Sequence, residues 1–195
     1  QRGIVILPGA GFDVVPTDCL SAILKLELPT AQNLVLAFDA PGGPSPGTAK
    51  TAVEGLGKGG CARINGEMTK VPLAWKTRTF QKNGEQRLAM TIPWGDVYTA
   101  YISTGIPNIE VYMSVPPKTV DTLRRIRRLG PLLGFSPVQK FLKSQVAKKI
   151  RGPSEETRKD AETWVWGEVS DAAGRQVSAV LKTPNGYTLT VLAAL

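Results

Sequence analysis

Histidine is absent from all 195 residues, and that gap removes much chemistry at once. No Ser-His-Asp triad, His-paired cysteine nucleophile or histidine metal site can be built from this chain alone. Cysteine is nearly as scarce, with Cys19 and Cys61 the two present. Two thiols are too few for a structural zinc site and no Cys-x-x-Cys occurs, so no metal is expected. Both thiols are expected to be buried, reduced and to behave as small apolar side chains. No Asn-x-Ser/Thr sequon argues for secretion, and no apolar run approaches the roughly 20 residues that span a bilayer. The expected setting is cytoplasmic, with peripheral association with a membrane left open. Gln1 is not an initiator methionine and no signal-peptide pattern follows it, so the chain reads as a fragment of something longer.

Acidic residues are missing from one stretch. Between Lys118 and Arg151 stand ten Lys or Arg against the single acid Asp121, a net +9 in a chain whose total is +8. Localised charge of this kind suits an anionic phospholipid surface or an acidic carrier protein, with Arg124, Arg125, Arg127 and Arg128 as its densest part. Nucleic acid fits less well, because few aromatic residues interleave with the charges. The plainer account is the solvated face of two amphipathic helices.

The apolar run Ile4–Leu7 leads into Gly9-Ala10-Gly11-Phe12-Asp13, and Pro16 stands near the start of an apolar-periodic helix through Leu20, Ile23, Leu24 and Leu28. That is a strand–loop–helix pattern. Asn33–Asp39 reads as a strand ended by a Pro/Gly-rich loop. Thr48 then reads as the N-cap of a helix over Ala49–Leu56. Asn65-Gly66 and Asn83-Gly84 mark two hairpins. The strand series continues through Leu88–Ile92, Val97–Ser103 and Ile109–Val115, with antiparallel pairing of neighbours expected. Helices are expected from Lys118 and over Pro137–Ile150, then strands over Thr163–Ser170 and Gln176–Lys182. The pattern is α+β: a mixed, largely antiparallel sheet with helices packed on one face.

Gly55-Leu56-Gly57-Lys58-Gly59-Gly60 matches the dinucleotide fingerprint in letters only, because a helix precedes it and a strand follows. Gly42–Thr48 has the spacing of a phosphate-cradling loop but lacks its lysine. Ser45 and Thr48 remain candidates to hold a substrate anion, with Lys50 nearby. Trp94–Tyr101 and Thr104–Ile109 are dense in aromatics and hydroxyls, which suits either core packing or the lining of a mostly apolar pocket. Without histidine, a proton donor has to come from Asp13, Asp18, Lys50, Tyr98, Tyr101 or water.

Taken together, Gly11-Phe12-Asp13-Val14-Val15-Pro16-Thr17-Asp18, Gly47-Thr48, Pro93-Trp94-Gly95-Asp96 and Ser103–Ile109 resemble blocks of the saccharopine dehydrogenase-like oxidoreductases. That group includes trans-acting enoyl reductases of lipid biosynthesis, and the resemblance spans nearly the whole chain. It implies a single substrate-binding and dimerisation domain over 1–195. Residues 1–18 would cross over from a missing NAD(P)-binding Rossmann half and 187–195 would begin the return to it. The parent would be an NAD(P)-dependent oxidoreductase and a homodimer. Its substrate is unidentified, with a small-molecule, carrier-linked or lipid-linked one left open. This chain alone would be inactive and hold no cofactor. By the same resemblance Gly9, Gly11, Phe12 and Asp13 would border the nicotinamide, and Ser45, Thr48 and Thr104 would face substrate. Val14 replaces the family's usual serine, and Pro46 stands where glycine is common. The alternative is a non-enzymatic module that docks on anionic lipid or an acidic carrier through the basic helices 118–151.

Overall fold

The computed structural model describes Gly3 and residues 9–195; the strand expected over Ile4–Leu7 lies outside the described residues. One eight-stranded sheet organises the chain. Its main path runs β3 (Glu67–Val71), β2 (Gly60–Ile64), β6 (Asn108–Ser114), β1 (Asn33–Asp39), β7 (Thr163–Ser170), β8 (Gln176–Thr183). β4 (Thr77–Lys82) pairs with β5 (Glu85–Thr91), and β5 joins the far half of β6. β1 and β6 run parallel, in register from Asn33 opposite Asn108 to Phe38 opposite Met113. The other pairings are antiparallel, so the fold is α+β with a mixed, mostly antiparallel sheet. Both Asn-Gly pairs close hairpins with positive φ at each residue: 52° and 84° at Asn65-Gly66, 51° and 82° at Asn83-Gly84. That backbone twist matches the twist of the flanking strands.

Period-two alternation sends Leu34, Leu36 and Phe38 of β1, Ile109 and Val111 of β6, and Val165 and Val169 of β7 to one face. Helix α1 (Val15–Glu27) places Leu20 and Leu24, and its C-cap Leu28, against that face at helical spacing. Helix α3 (Asp96–Thr104) adds Val97 and Ala100. The opposite face carries a smaller core in which Phe80 of β4 stacks on Trp166 at 5.6 Å, and Trp166 Nε1 donates to the Gln81 carbonyl. Three ion pairs tie β4 and the residue before it to this face: Lys76–Glu110, Arg78–Glu168 and Lys82–Asp39.

Three expectations give way. Val97–Ser103 forms helix α3 rather than a strand, because its buried positions Val97, Ala100 and Thr104 follow the helical period. The N-cap of α2 (Pro46–Gly55) is Ser45, whose side chain accepts from the Thr48 N–H; Thr48 lies inside the helix. A third Asn-Gly, Asn185-Gly186, closes no hairpin and opens helix α8 (Gly186–Ala193) instead, Asn185 Oδ1 accepting from the Tyr187 N–H. The thiols are not buried either: Cys19 is exposed and Cys61 half-buried.

In the basic region α4 (Pro117–Ile126) passes into a 3₁₀ turn at Arg127–Leu129, then α5 (Gly130–Leu133) and α6 (Ser136–Lys149). Of the apolar residues spaced by three, Val120, Leu123 and Ile126 lie in α4 and Leu129 in the 3₁₀ turn. A short helix α7 (Glu155–Asp160), capped by Ser154, precedes β7. No helix among the described residues is long and apolar enough to cross a membrane.

Candidate functional site

The loop before α1, the start of α3 and helix α8 meet at one corner of the sheet. Gly11 presses on α8 so closely that a Cβ there would lie 2.9 Å from Thr190 Cγ2, and the Phe12 N–H donates to Thr190 Oγ1 at 3.1 Å. The Phe12 ring meets Phe38 edge-on at 5.3 Å, and Phe38 meets Trp94 at 5.0 Å. These three rings make an apolar wall. Val14 closes the loop at φ 136°, a conformation β-branched residues rarely hold; strain of this kind costs about 1–3 kcal/mol and needs surrounding contacts to maintain it.

Beside this wall lie three carboxyl groups. Asp96, in the first turn of α3, is fully buried, and neither of its oxygens has a hydrogen-bond partner among the described residues. The Thr17 hydroxyl alongside gives its single proton to the Val14 carbonyl. Burial therefore pushes the Asp96 carboxyl from its ordinary 3.8 up to about 7, with the nearby Thr17 hydroxyl and the Asp96 N–H opposing and the charges of Asp13 and Asp18 adding to the rise. The α3 dipole favours the charged form by about 0.3–1 kcal/mol, less than one pH unit, so burial wins. Asp13, nearer the surface against the Gly95 backbone, is also raised by burial, with the Gly95 N–H opposing. Asp18 Oδ2 accepts from the Ser103 hydroxyl at 2.6 Å.

Orphaned polar atoms concentrate here. Of the six buried side-chain atoms without a partner among the described residues, five belong to this corner: Asp18 Oδ1, Trp94 Nε1, both Asp96 oxygens and Thr99 Oγ1. Buried polar groups are nearly always paired, so the cluster marks a place where pairing has been given up. No group of three or more metal-ligating side chains is formed among the described residues.

A second polar cluster lies on α8. The Ser45 N–H donates to the Tyr187 hydroxyl at 2.5 Å, and Ser45 Oγ lies 3.0 Å from Thr48 Oγ1. Burial raises the Tyr187 phenol, but hydrogen bonds to Ser45 and Thr48 outweigh it and leave its pKa below the ordinary value. Gly186 packs on the Phe12 ring, where a Cβ would come within 3.0 Å, so α8 links this cluster to the acidic corner.

The predicted site residues thus divide. Gly9, Gly11, Phe12 and Asp13 share the acidic corner, and Ser45 and Thr48 share the Tyr187 cluster. Lys50 is exposed on α2 and Tyr98 is 59% exposed on α3. Tyr101 lies under the Arg63 guanidinium, 4.1 Å from its ring centroid. Thr104 is buried at the other end of α3, about 12 Å along the axis from Asp96. Its hydroxyl donates to the Ala100 carbonyl and accepts from the Ile106 N–H, so both bonds serve the C-terminal end of its own helix. Asp96 and Tyr187 escaped the sequence reading. Trp94-Gly95-Asp96 was visible as a block, but only the helical register buries the aspartate. The fingerprint-like glycines join α2 to β2, and Gly57 faces Gly134, where a Cβ would stand 2.7 Å from its Cα. No protein-family model matches the chain, and no curated protein matches it significantly.

Proposed function

We propose that this chain is the substrate-binding and dimerisation part of an NAD(P)-dependent, saccharopine dehydrogenase-like oxidoreductase, with its chemistry centred on the acidic corner. The observation that carries the reading is the buried, unpartnered Asp96 carboxyl beside Asp13 and Asp18. A carboxyl that keeps its proton to about pH 7 can donate it at neutral pH, which is what reduction of a carbon centre asks of a protein without histidine. The Gly11–Phe12 stretch packs on α8, so chain entering through Gly9 and leaving through α8 would do so side by side, as two crossings to a neighbouring domain require.

The corner suits one end of a nicotinamide cofactor and not the other. The Asp13 and Asp18 carboxylates would repel a pyrophosphate but complement the oxidised, cationic ring, and the partly exposed Phe12 and Trp94, packed on the buried Phe38, would give that ring an apolar edge. The bound cofactor would supply hydride. Gly9, Gly11, Phe12 and Asp13 would border its ring, Asp96 would hold the proton, and the hydroxyls of Ser45, Thr48 and Tyr187 would orient a polar group of the substrate.

The test is titration of NADPH and NADH, followed by nicotinamide fluorescence, against this chain and against the longer polypeptide that carries it. Saturable binding by the longer protein and none by residues 1–195 is the expected result. A longer protein that binds neither nucleotide refutes the proposal. Light scattering of the longer protein reports the expected dimer.

A further inference from the structure

The basic region is held to the body from behind and bare in front. Val120 and Leu133 are buried, the Arg124 Nε donates to the Ala74 carbonyl at 3.1 Å, and the Gln139 side chain donates to the carbonyls of Val53 and Leu133. Lys143 pairs with Glu54 of α2. Arg124 is therefore partly committed to the fold. Arg125, Arg127 and Arg128 are exposed and, among the described residues, make no ion pair. With Arg124 and Asp121 they ring an open hollow of about 330 Å³.

Apolar side chains stand out in the segment that directly follows these cations. Leu129, Leu132, Phe135 and Phe141 are each 52–63% exposed, four of the thirteen exposed large hydrophobic residues among the described residues and all within thirteen positions of chain. Such adjacency discriminates among acidic partners. An acidic protein that took the apolar tips would have to bury the neighbouring guanidinium groups too, each with a partner of its own, and a nucleic acid would neutralise the arginines and could stack on Phe135 and Phe141 but would leave Leu129 and Leu132 in water. A lipid headgroup layer takes both at once, with phosphates around the guanidinium groups and apolar tips in the acyl boundary.

From this juxtaposition we propose that Arg125–Phe141 is an interfacial docking surface for bilayers containing anionic phospholipid. The proposal is independent of the cofactor reading above. Residues 1–195 are sedimented with vesicles of phosphatidylcholine alone and of phosphatidylcholine with phosphatidylserine, at low and high salt. Binding is expected to the second vesicle only and to weaken with salt. Replacing Arg125, Arg127 and Arg128 together by Gln is expected to weaken partitioning about a hundredfold, about fivefold for each arginine. Leu132→Ser with Phe135→Ser is expected to weaken it about tenfold or more, through lost apolar burial. Phe135→Trp keeps every arginine, and the emission of the introduced indole is expected to shift to the blue when anionic vesicles are added. Thermal melts confirm that each variant is folded. Equal binding to neutral vesicles, an unchanged arginine variant, an unchanged Leu132/Phe135 variant or unshifted emission from vesicle-bound Phe135→Trp protein each overturns the proposal, and so does failure of the wild type to bind.

Discussion

Asp96→Asn separates a buried acid from everything else that titrates near neutrality. The folded chain holds the Asp96 proton to about pH 7, whereas the unfolded chain releases it near 3.8. The native state therefore binds more protons across that interval, and its stability falls as pH rises from about 4 to about 7, then levels. A displacement of about three pH units, at about 1.4 kcal/mol each, amounts to about 4 kcal/mol of stability forgone above pH 7. Asparagine removes that penalty but leaves a buried amide to satisfy, at about 1–3 kcal/mol. The variant is expected to be the more stable protein at pH 8 by about 1–3 kcal/mol and to lose that advantage by pH 5. Between those pH values its melting temperature should gain about 5–10 °C on the wild type. The chain contains no histidine, so no imidazole titration obscures the window. Asp13, also raised, acts in the same direction and is tested by its own Asn variant. Melts in matched buffers from pH 4.5 to 8.5 decide the matter. Parallel curves for Asp96→Asn and wild type would show that the carboxyl is ionised when folded and refute the reasoning.

Gly95→Ala is expected to destabilise by about 1–3 kcal/mol, because the new methyl would stand 2.7 Å from Val14 Cγ1 and 3.0 Å from Asp13 Oδ1. Adding Val14→Gly removes the clashing methyl and the positive-φ strain, so the double variant should recover most of the loss in a denaturant-melt cycle; additive effects would deny that contact. Ser45→Ala removes the α2 cap and should cost about 1 kcal/mol. Thr48→Val, which keeps the backbone N–H that Ser45 caps, should cost less than Ser45→Ala in the same melt.

Strand after strand was legible because its chemistry is local. Asn33–Asp39 reads as a strand from its apolar run, and both Asn-Gly pairs specify their hairpins through backbone angles that asparagine and glycine reach readily. Parallel pairing of β1 with β6 was not legible, since more than sixty residues separate Phe38 from Met113 and no local signal sets that register. The cap of α2 was misplaced by three residues for a related reason. Ser45 and Thr48 are both good caps, and what selects Ser45 is the proline that follows it at the first helical position together with the distant Tyr187 hydroxyl on its N–H.

The misreadings gather at the proposed site. Val97–Ser103 is rich in residues that favour strands, yet it forms the helix that buries Asp96. Asn185-Gly186 carries hairpin chemistry, yet it starts the helix whose Tyr187 meets Ser45. Val14 holds a backbone angle its side chain resists. A sequence usually agrees with its fold at every level, and the places where local rules give way are where function most often lies. Here propensity, backbone angle and polar pairing all give way within the contacts of Phe12, Gly95 and α8, while the hairpins obey them; Thr163 Oγ1 in β7 and Ala74 at φ 50° are departures outside that corner. Glycine at Val14 would relieve the backbone strain, and an apolar residue at Asp96 would remove a buried unpaired acid, so these two neighbouring positions are where stability and the proposed chemistry pull in opposite directions.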